Sequence, residues 1–394
     1  MWIELPNRTI EILNRIDNPM DTNITAINSL FDSMRRCQNI IFAEDQVLKF
    51  LEDHPLLSPT TRFFINWIRQ KYIYIYEGYS SVQHKVIIDF EIPSVRREEN
   101  NFLVPLSYFE EIGALKLLSE NENDGDMFLN IFRHIAKKKK LSPYYFIRFE
   151  NDAFHGGNAP TKIKQAAKDQ QLILCIVDSD RDYPGGERGS TFKGARKAFN
   201  KVKYTHIIDF YELGVREREN LFPPYFYNLI ISDSHKLFDI LESYIDNESL
   251  IKYVDIKDGI KYKKIAKFGG ENGNKKWDDF YRDFLEKCES ESILLKPEDN
   301  TPCKDDFKCI KGIGPNLCDL LIDILIELDE DKFEQNFSKS EISRSKKDVI
   351  IDIRKDITAH IPTYLLNEWT NLYKLIFSWG CCLSKSALPI YTPD

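Results

Sequence analysis

Two aspartates, Asp178 and Asp180, follow directly on an unbroken apolar run at 172–177. Such a run suits a strand buried on both faces, and residues two apart on an extended chain point to the same side. If the extension continues past residue 177, both carboxylates project from one strand end into one small volume. Carboxylates so placed repel each other unless a proton or a cation intervenes, and an all-oxygen site suits a hard divalent ion, Mg²⁺ or Mn²⁺. The competing reading is a turn whose aspartates cap the next helix. Asp182, just ahead of Pro184, Gly185 and Gly186, fits that turn role better than a ligand role.

Acids recur at two further places of the same kind. Glu120 comes just after the apolar run 115–118, while Glu122, Asp124 and Asp126 fall where a helix would begin and complement its dipole. After the run 206–208 comes Arg216-Glu217-Arg218-Glu219-Asn220. Between them, His155 precedes Gly156 and Gly157, and Pro160 opens the next helical stretch. That turn either brings backbone N–H groups to an anion or merely joins strand to helix. Charge is uneven: 133–203 holds 16 Lys+Arg against 7 Asp+Glu, inside a chain of net charge −8. A basic segment in an acidic protein marks a place for a polyanion, or a solvated helix face.

The elements that must position these residues follow from the hydrophobic pattern. Short apolar runs at 115–118, 144–149, 172–177 and 206–208 alternate with helical stretches at 126–137, 160–169 and 192–202. Strand and helix alternating at this spacing imply βαβ units and a largely parallel sheet, with functional residues at the carboxyl ends of the strands. Residues 1–98 read as a helical region, with amphipathic stretches at 10–16, 45–51 and 59–72, the last capped by Ser58. The polar segment 94–101 marks a boundary, so the α/β domain is placed at 99–224 and a helical C-terminal region at 225–394. The composition, 42% hydrophobic with 26 Phe and 19 Tyr, supplies ordinary cores. No apolar run approaches the roughly 18 residues of a membrane span, and the first residues lack the layout of a secretory signal, which predicts a cytoplasmic protein with no membrane contact. Eight cysteines then read as reduced thiols, and the spacing of Cys303, Cys309 and Cys318 lacks the close pairs of a zinc site.

The order of these elements resembles the TOPRIM domain of topoisomerases, primases and the OLD-type and stand-alone nucleases of prokaryotic defence. Glu120 and Asp124 match the glutamate and the acid four residues on in its Val-Glu-Gly-X-X-Asp pattern, with Asn121 standing where that pattern has glycine. Asp178 and Asp180 match its Asp-X-Asp motif, and 216–223 is similar to the Arg-Glu-Ile-Glu-Asn element that closes the domain in some of these nucleases, which adds Glu219. The resemblance covers about 115–224. It implies a central Rossmann-like TOPRIM domain and an Mg²⁺- or Mn²⁺-dependent nuclease, cutting DNA or RNA as an anti-phage or toxin-like effector. Glu120, Asp124, Asp178, Asp180 and Glu219 would be ligands, with Glu120, Asp178 and Asp180 catalytic. Lys162, Lys164, Lys193, Arg196 and Lys197 become candidate phosphate contacts. It further implies a partner ATPase or a homo-oligomer. The alternatives are a catalytically degenerate TOPRIM-fold assembly module, or a glycosyltransferase holding a metal-diphosphate through Asp178 and Asp180. The segment 309–318 is similar to a helix-hairpin-helix hairpin, with Gly312 and Gly314 in its turn, but its acidic flanks favour the reading as a plain turn between helices.

Overall fold

The structure is a computed structural model that describes residues 1–109, 115–141, 143–231, 235–244, 248–268, 275–298, 304–385 and 388–389. Two sheets organise it. The first contains β1 (Trp2–Leu5), β2 (Ile40–Ala43), β3 (Lys85–Ile88), β4 (Arg96–Glu98) and β5 (Asn101–Val104), in the order β2-β1-β3-β5-β4. All its pairings are parallel except β4 with β5. The expectation of a helical region over residues 1–98 therefore needs correction: helices are there, including Pro59–Gln70 capped by the Ser58 side chain, but they flank a sheet. Its strands are only three or four residues long, too short for an alternation to stand out against the helical periodicity around them. The polar segment 94–101, read as a boundary, forms the hairpin joining β4 to β5.

The second sheet contains β6 (Leu115–Ser119), β8 (Glu150–Ala153), β9 (Leu172–Val177) and β10 (Ile208–Glu212), all parallel, in the order β10-β9-β6-β8. β6 and β9 fall on predicted apolar runs, whereas β10 shares only Ile208 with the run 206–208 and extends beyond it to Glu212. The run 144–149 instead gives β7 (Tyr145–Ile147), which leaves the sheet and pairs antiparallel with β13 (Cys381–Leu383). Its place is taken by the polar β8, which tolerates Glu150, Asn151 and Asp152 because it is an edge strand with a neighbour on one side only.

Helices cover both faces of this sheet. Ala159–Lys168 and Ser190–Val202 pack Ile163, Ala166, Phe192, Ala195 and Phe199 against Leu118, Ile173, Cys175, Val177 and Phe210. On the other face, Met127, Phe128 and Ile131 of Glu122–Lys138 and Leu365, Trp369 and Leu372 of Thr363–Gly380 meet Leu117, Leu174 and Ile176. This is why β9 is apolar throughout: both its faces are buried. The same core continues into the first sheet, and Arg97 of β4 reaches across to Asp209 of β10 at 2.7 Å. The chain beyond residue 224 is mainly helical, with a small antiparallel pair, β11 (Gly259–Lys261) and β12 (Lys308–Lys311). No helix among the described residues is long and apolar enough to cross a membrane.

Candidate functional site

The carboxyl ends of β6, β9 and β10 lie side by side at one edge of the second sheet. Glu120 leaves β6 and is half-buried. Asp178 leaves β9, also half-buried, and neither of these two side chains has a hydrogen-bond or ion-pair partner among the described residues. Beyond β10 the chain folds back as Arg216–Asn220 and covers the strand ends. Glu219 is completely buried; its Oε1 accepts from Arg218 Nε at 3.2 Å, and its Oε2 has no partner.

The covering segment is pinned from several sides. Asn220 Nδ2 donates to the carbonyls of Ile251 and Val254, Tyr227 Oη donates to the Glu219 carbonyl, and Trp369 Nε1 donates to the Leu221 carbonyl. Arg218 spans Asp124 (2.8 Å), Glu219 and Asp319 (2.9 Å). Arg216 bonds Asp182, Glu217 (3.1 Å) and Asp255 (3.0 Å). Buried guanidinium groups thus alternate with buried carboxylates, which is how charged residues stay inside at all.

Lys257 arrives from the C-terminal region, with Nζ 3.3 Å from Glu217 Oε2. Nothing in the sequence around residue 257 signalled this. Its backbone carbonyl accepts from Gly314 N at 3.0 Å. A Cβ on Gly312 would lie 2.3 Å from that same carbonyl oxygen, so only glycine fits. The segment 309–318 is therefore strand, turn and short helix, β12 leading to Pro315–Leu321, and not a helix-hairpin-helix unit. Cys309 and Ile310 are the buried residues of that strand, and Gly312 serves close packing against the Lys257 backbone.

Burial and mutual repulsion set the protonation of the cluster. Asp178 is raised well above the ordinary aspartate range, by burial first and then by Asp124, Glu219, Glu217 and Glu120. Glu120 is raised by burial and by Asp180 and Asp124, with Lys257 easing it. Burial also raises Asp180, against the pull of Arg216 and Lys257, and lifts Glu217 to about 7. Burial pulls the Lys257 ammonium down, but Glu219, Glu217 and Asp178 outweigh it and hold the ammonium above its ordinary range.

The predicted residues do not all stand as the alternation implied. Extension stops at Val177: Ser179 is buried with its hydroxyl on the Val215 carbonyl (2.8 Å), and Asp180 has φ 54°. A left-handed residue breaks the period of two, so Asp178 and Asp180 face different neighbours. Asp178 senses Asp124, Glu219 and Glu217; Asp180 senses Arg216, Lys257 and Asp182; Glu120 senses Asp180 most strongly. The Asp180 carboxylate rests on Gly189, where a Cβ would meet Oδ2 at 1.8 Å. Asp124 has both oxygens engaged, Oδ2 by the Asn121 N–H at 2.9 Å and Oδ1 by Arg218. Asn121 itself is extended, φ −129°, so this turn asks for no glycine. His155, at φ 48°, is exposed, and its N–H donates to the Glu120 carbonyl at 2.9 Å.

Of the basic candidates, Lys164, Lys193, Arg196 and Lys197 are exposed and Lys162 is half-buried, all on the helices Ala159–Lys168 and Ser190–Val202. Lys162 is paired with Asp152 (2.8 Å) and Lys193 with Glu187 (3.0 Å). Lys193, Arg196 and Lys197 line one open cleft of about 740 Å³ with Arg188 and Phe192, beside the loop that carries Asp180. Among the described residues, no group of three or more His, Cys, Asp or Glu side chains could hold a metal ion as it stands. The donor chemistry is nonetheless that of a hard cation: carboxylate oxygens without partners on Glu120 and Asp178, and a buried orphan oxygen on Glu219. No family model, curated protein or solved structure matches the chain.

Proposed function

We propose that the chain is a TOPRIM-type, divalent-metal-dependent nuclease that cuts phosphodiester bonds of DNA or RNA. One observation carries the reading: carboxylate oxygens of Glu120 and Asp178, unpartnered among the described residues at the ends of adjacent parallel strands, are joined by the orphan Oε2 of buried Glu219 from the covering segment, and burial with neighbouring carboxylates raises both Glu120 and Asp178. Titratable groups so perturbed cluster at functional sites. Glu120, Asp178 and Glu219 would hold Mg²⁺ or Mn²⁺, with Asp180 at the rim. Bound there, the ion supplies Lewis-acid polarisation of a phosphoryl oxygen and a water of lowered pKa.

The chain's own residues do the remainder. Asp124 and Arg218 orient Glu219, and Lys257 balances the charge of Glu217. Where Glu120 does not ligate the ion, its carboxyl, raised by burial and by Asp180, would serve as general acid or base toward the attacking or leaving oxygen. Lys164, Lys193, Arg196 and Lys197 take the polynucleotide backbone. We assign the chain to an anti-phage or toxin-like system, acting with a partner ATPase or as a homo-oligomer. The second reading, a non-catalytic TOPRIM-fold assembly module, is favoured by Arg218, which already neutralises Asp124 and Glu219. Purified wild type and Asp178→Ala are incubated with plasmid DNA and with total tRNA in Mg²⁺, Mn²⁺ or EDTA. Metal-dependent cleavage that the variant loses supports the nuclease; no cleavage of either substrate moves the assignment to the module.

A further inference from the structure

Cationic side chains without acidic partners gather at the end of the molecule remote from the acid cluster. Helix Glu122–Lys138 begins beside Asp124 and runs 17 residues, about 25 Å at 1.5 Å per residue, to the tetralysine Lys137–140. Lys139 and Lys140 are exposed and have no carboxylate partner among the described residues, and Lys374 joins them from helix Thr363–Gly380. They line a cleft of about 560 Å³ with Tyr74, Tyr145 and Tyr373, where Glu77 is the acid. An adjoining cleft shares Lys140 and Tyr145 and adds Arg133, Lys137 and Phe146.

Aromatic rings alternate with these cations at the surface. Tyr74 is 49% and Phe146 57% exposed, although both residues belong to ordered elements. Tyr74 lies against Tyr144 at 5.4 Å between centroids, Lys71 stands 5.8 Å above Tyr144, and Lys139 stands 5.4 Å above Tyr373. Helix C-termini attract lysines through the macrodipole, which accounts for the last turn of one helix. It does not account for Lys374 on a second helix, nor for rings left in water. Cations that track a backbone beside rings that stack on bases are the two components of single-strand nucleic-acid binding.

We propose that this lysine and tyrosine surface binds single-stranded nucleic acid at a site separate from the acid cluster. A strand reaching from one to the other must span about 25 Å, several nucleotides, so the ligand is a polynucleotide and not a nucleotide. The proposal extends the nuclease reading by adding a second contact, and it is read by binding alone, in EDTA, where nothing is cut.

The test is fluorescence anisotropy of a labelled 20-nucleotide single strand and of the corresponding duplex, across a salt series, with the full chain. Two variants accompany the wild type: Lys139→Glu/Lys140→Glu and Tyr74→Ala/Phe146→Ala. The charge reversal is expected to weaken binding at least about tenfold and to flatten the salt dependence. Loss of the rings is expected to weaken single-strand binding about tenfold while leaving the duplex unchanged. All four substituted surface residues are exposed or at the molecular rim, and equal melting temperatures confirm that the fold is kept. Wild-type affinity in both surface variants overturns the proposal even if the enzyme cuts. Single-strand binding lost in both supports it even if no cleavage is ever seen. Capture by anionic lipid vesicles without any oligonucleotide binding overturns it in favour of a membrane contact.

Discussion

At the carboxyl ends of the first sheet, Glu44 follows β2 and Asp89 follows β3, much as Glu120 follows β6 and Asp178 follows β9 in the second. Both sheets are mainly parallel and both turn acids toward one edge. Their circumstances differ. Glu44 is exposed and accepts from Asn7 and Gln46 at 3.1 Å each, and Asp89 accepts the Glu91 N–H at 2.9 Å. Among the described residues Glu120 and Asp178 have no such partners, and both are pushed up by burial and by neighbouring carboxylates. Topology supplies strand ends in both places. What distinguishes the second is its cover: Arg216–Asn220 folds back over the strand ends, and the loop carrying Lys257 closes beside it, leaving the acids only partly exposed. A satisfied acid in water has nothing to gain from a cation, whereas an unsatisfied one under cover does.

The largest effect should separate the two edges by activity. Under the nuclease reading, Asp178→Ala should lower metal-dependent cleavage by on the order of a thousandfold or more, measured by gel assay. Glu44→Ala and Asp89→Ala should cut at the wild-type rate; a comparable loss in either would break the comparison. Next comes stability. Arg218→Ala leaves Asp124 and Glu219 buried without their shared cation, and urea unfolding should show a loss of about 3–5 kcal/mol. The counterpart at the first edge, Arg8→Ala, removes an exposed pair with Glu91 and should not measurably move the midpoint. Asp124→Asn keeps its side-chain shape but weakens the hold on Arg218, and should cost activity about 10- to 100-fold.

How much of this could be read from the sequence depends on how local each signal is. β9 was legible because a strand buried on both faces needs an uninterrupted apolar run, and Glu120 and Asp178 were legible as the residues that follow such runs. The helices Glu122–Lys138, Ala159–Lys168 and Ser190–Val202 carry their periodicity openly. β8 was missed because its edge position permits a polar sequence, and the first sheet because four-residue strands give too few alternations to count. The divergence of Asp180 from Asp178 turns on a single left-handed φ, which no spacing rule carries. Lys257 lies 77 residues beyond Asp180, and only tertiary packing of Gly312 and Gly314 against its backbone brings it to the acids.

The smallest effect is a dependence on pH, and it sharpens the comparison because it reads burial directly. An unfolded chain gives up the Glu217 proton near 4.5, whereas the folded chain keeps it to about 7. Between those values the folded state binds more protons than the unfolded one, so stability falls as pH rises through that window. Thermal midpoints measured from pH 5 to pH 7 should therefore decline in the wild type and decline less in Glu217→Gln, while Glu44→Gln should follow the wild type. Above pH 7 Glu217 has given up its proton, and a cation has one more carboxylate charge to offset. Added Mg²⁺ should then raise the midpoint, by about 2.7 kcal/mol in stability at a hundredfold excess over its dissociation constant. Asp178→Ala should lose that gain, and Asp89→Ala should keep it. Equal gains in both variants would mean that the ion binds elsewhere and that covering the strand ends creates no cation site.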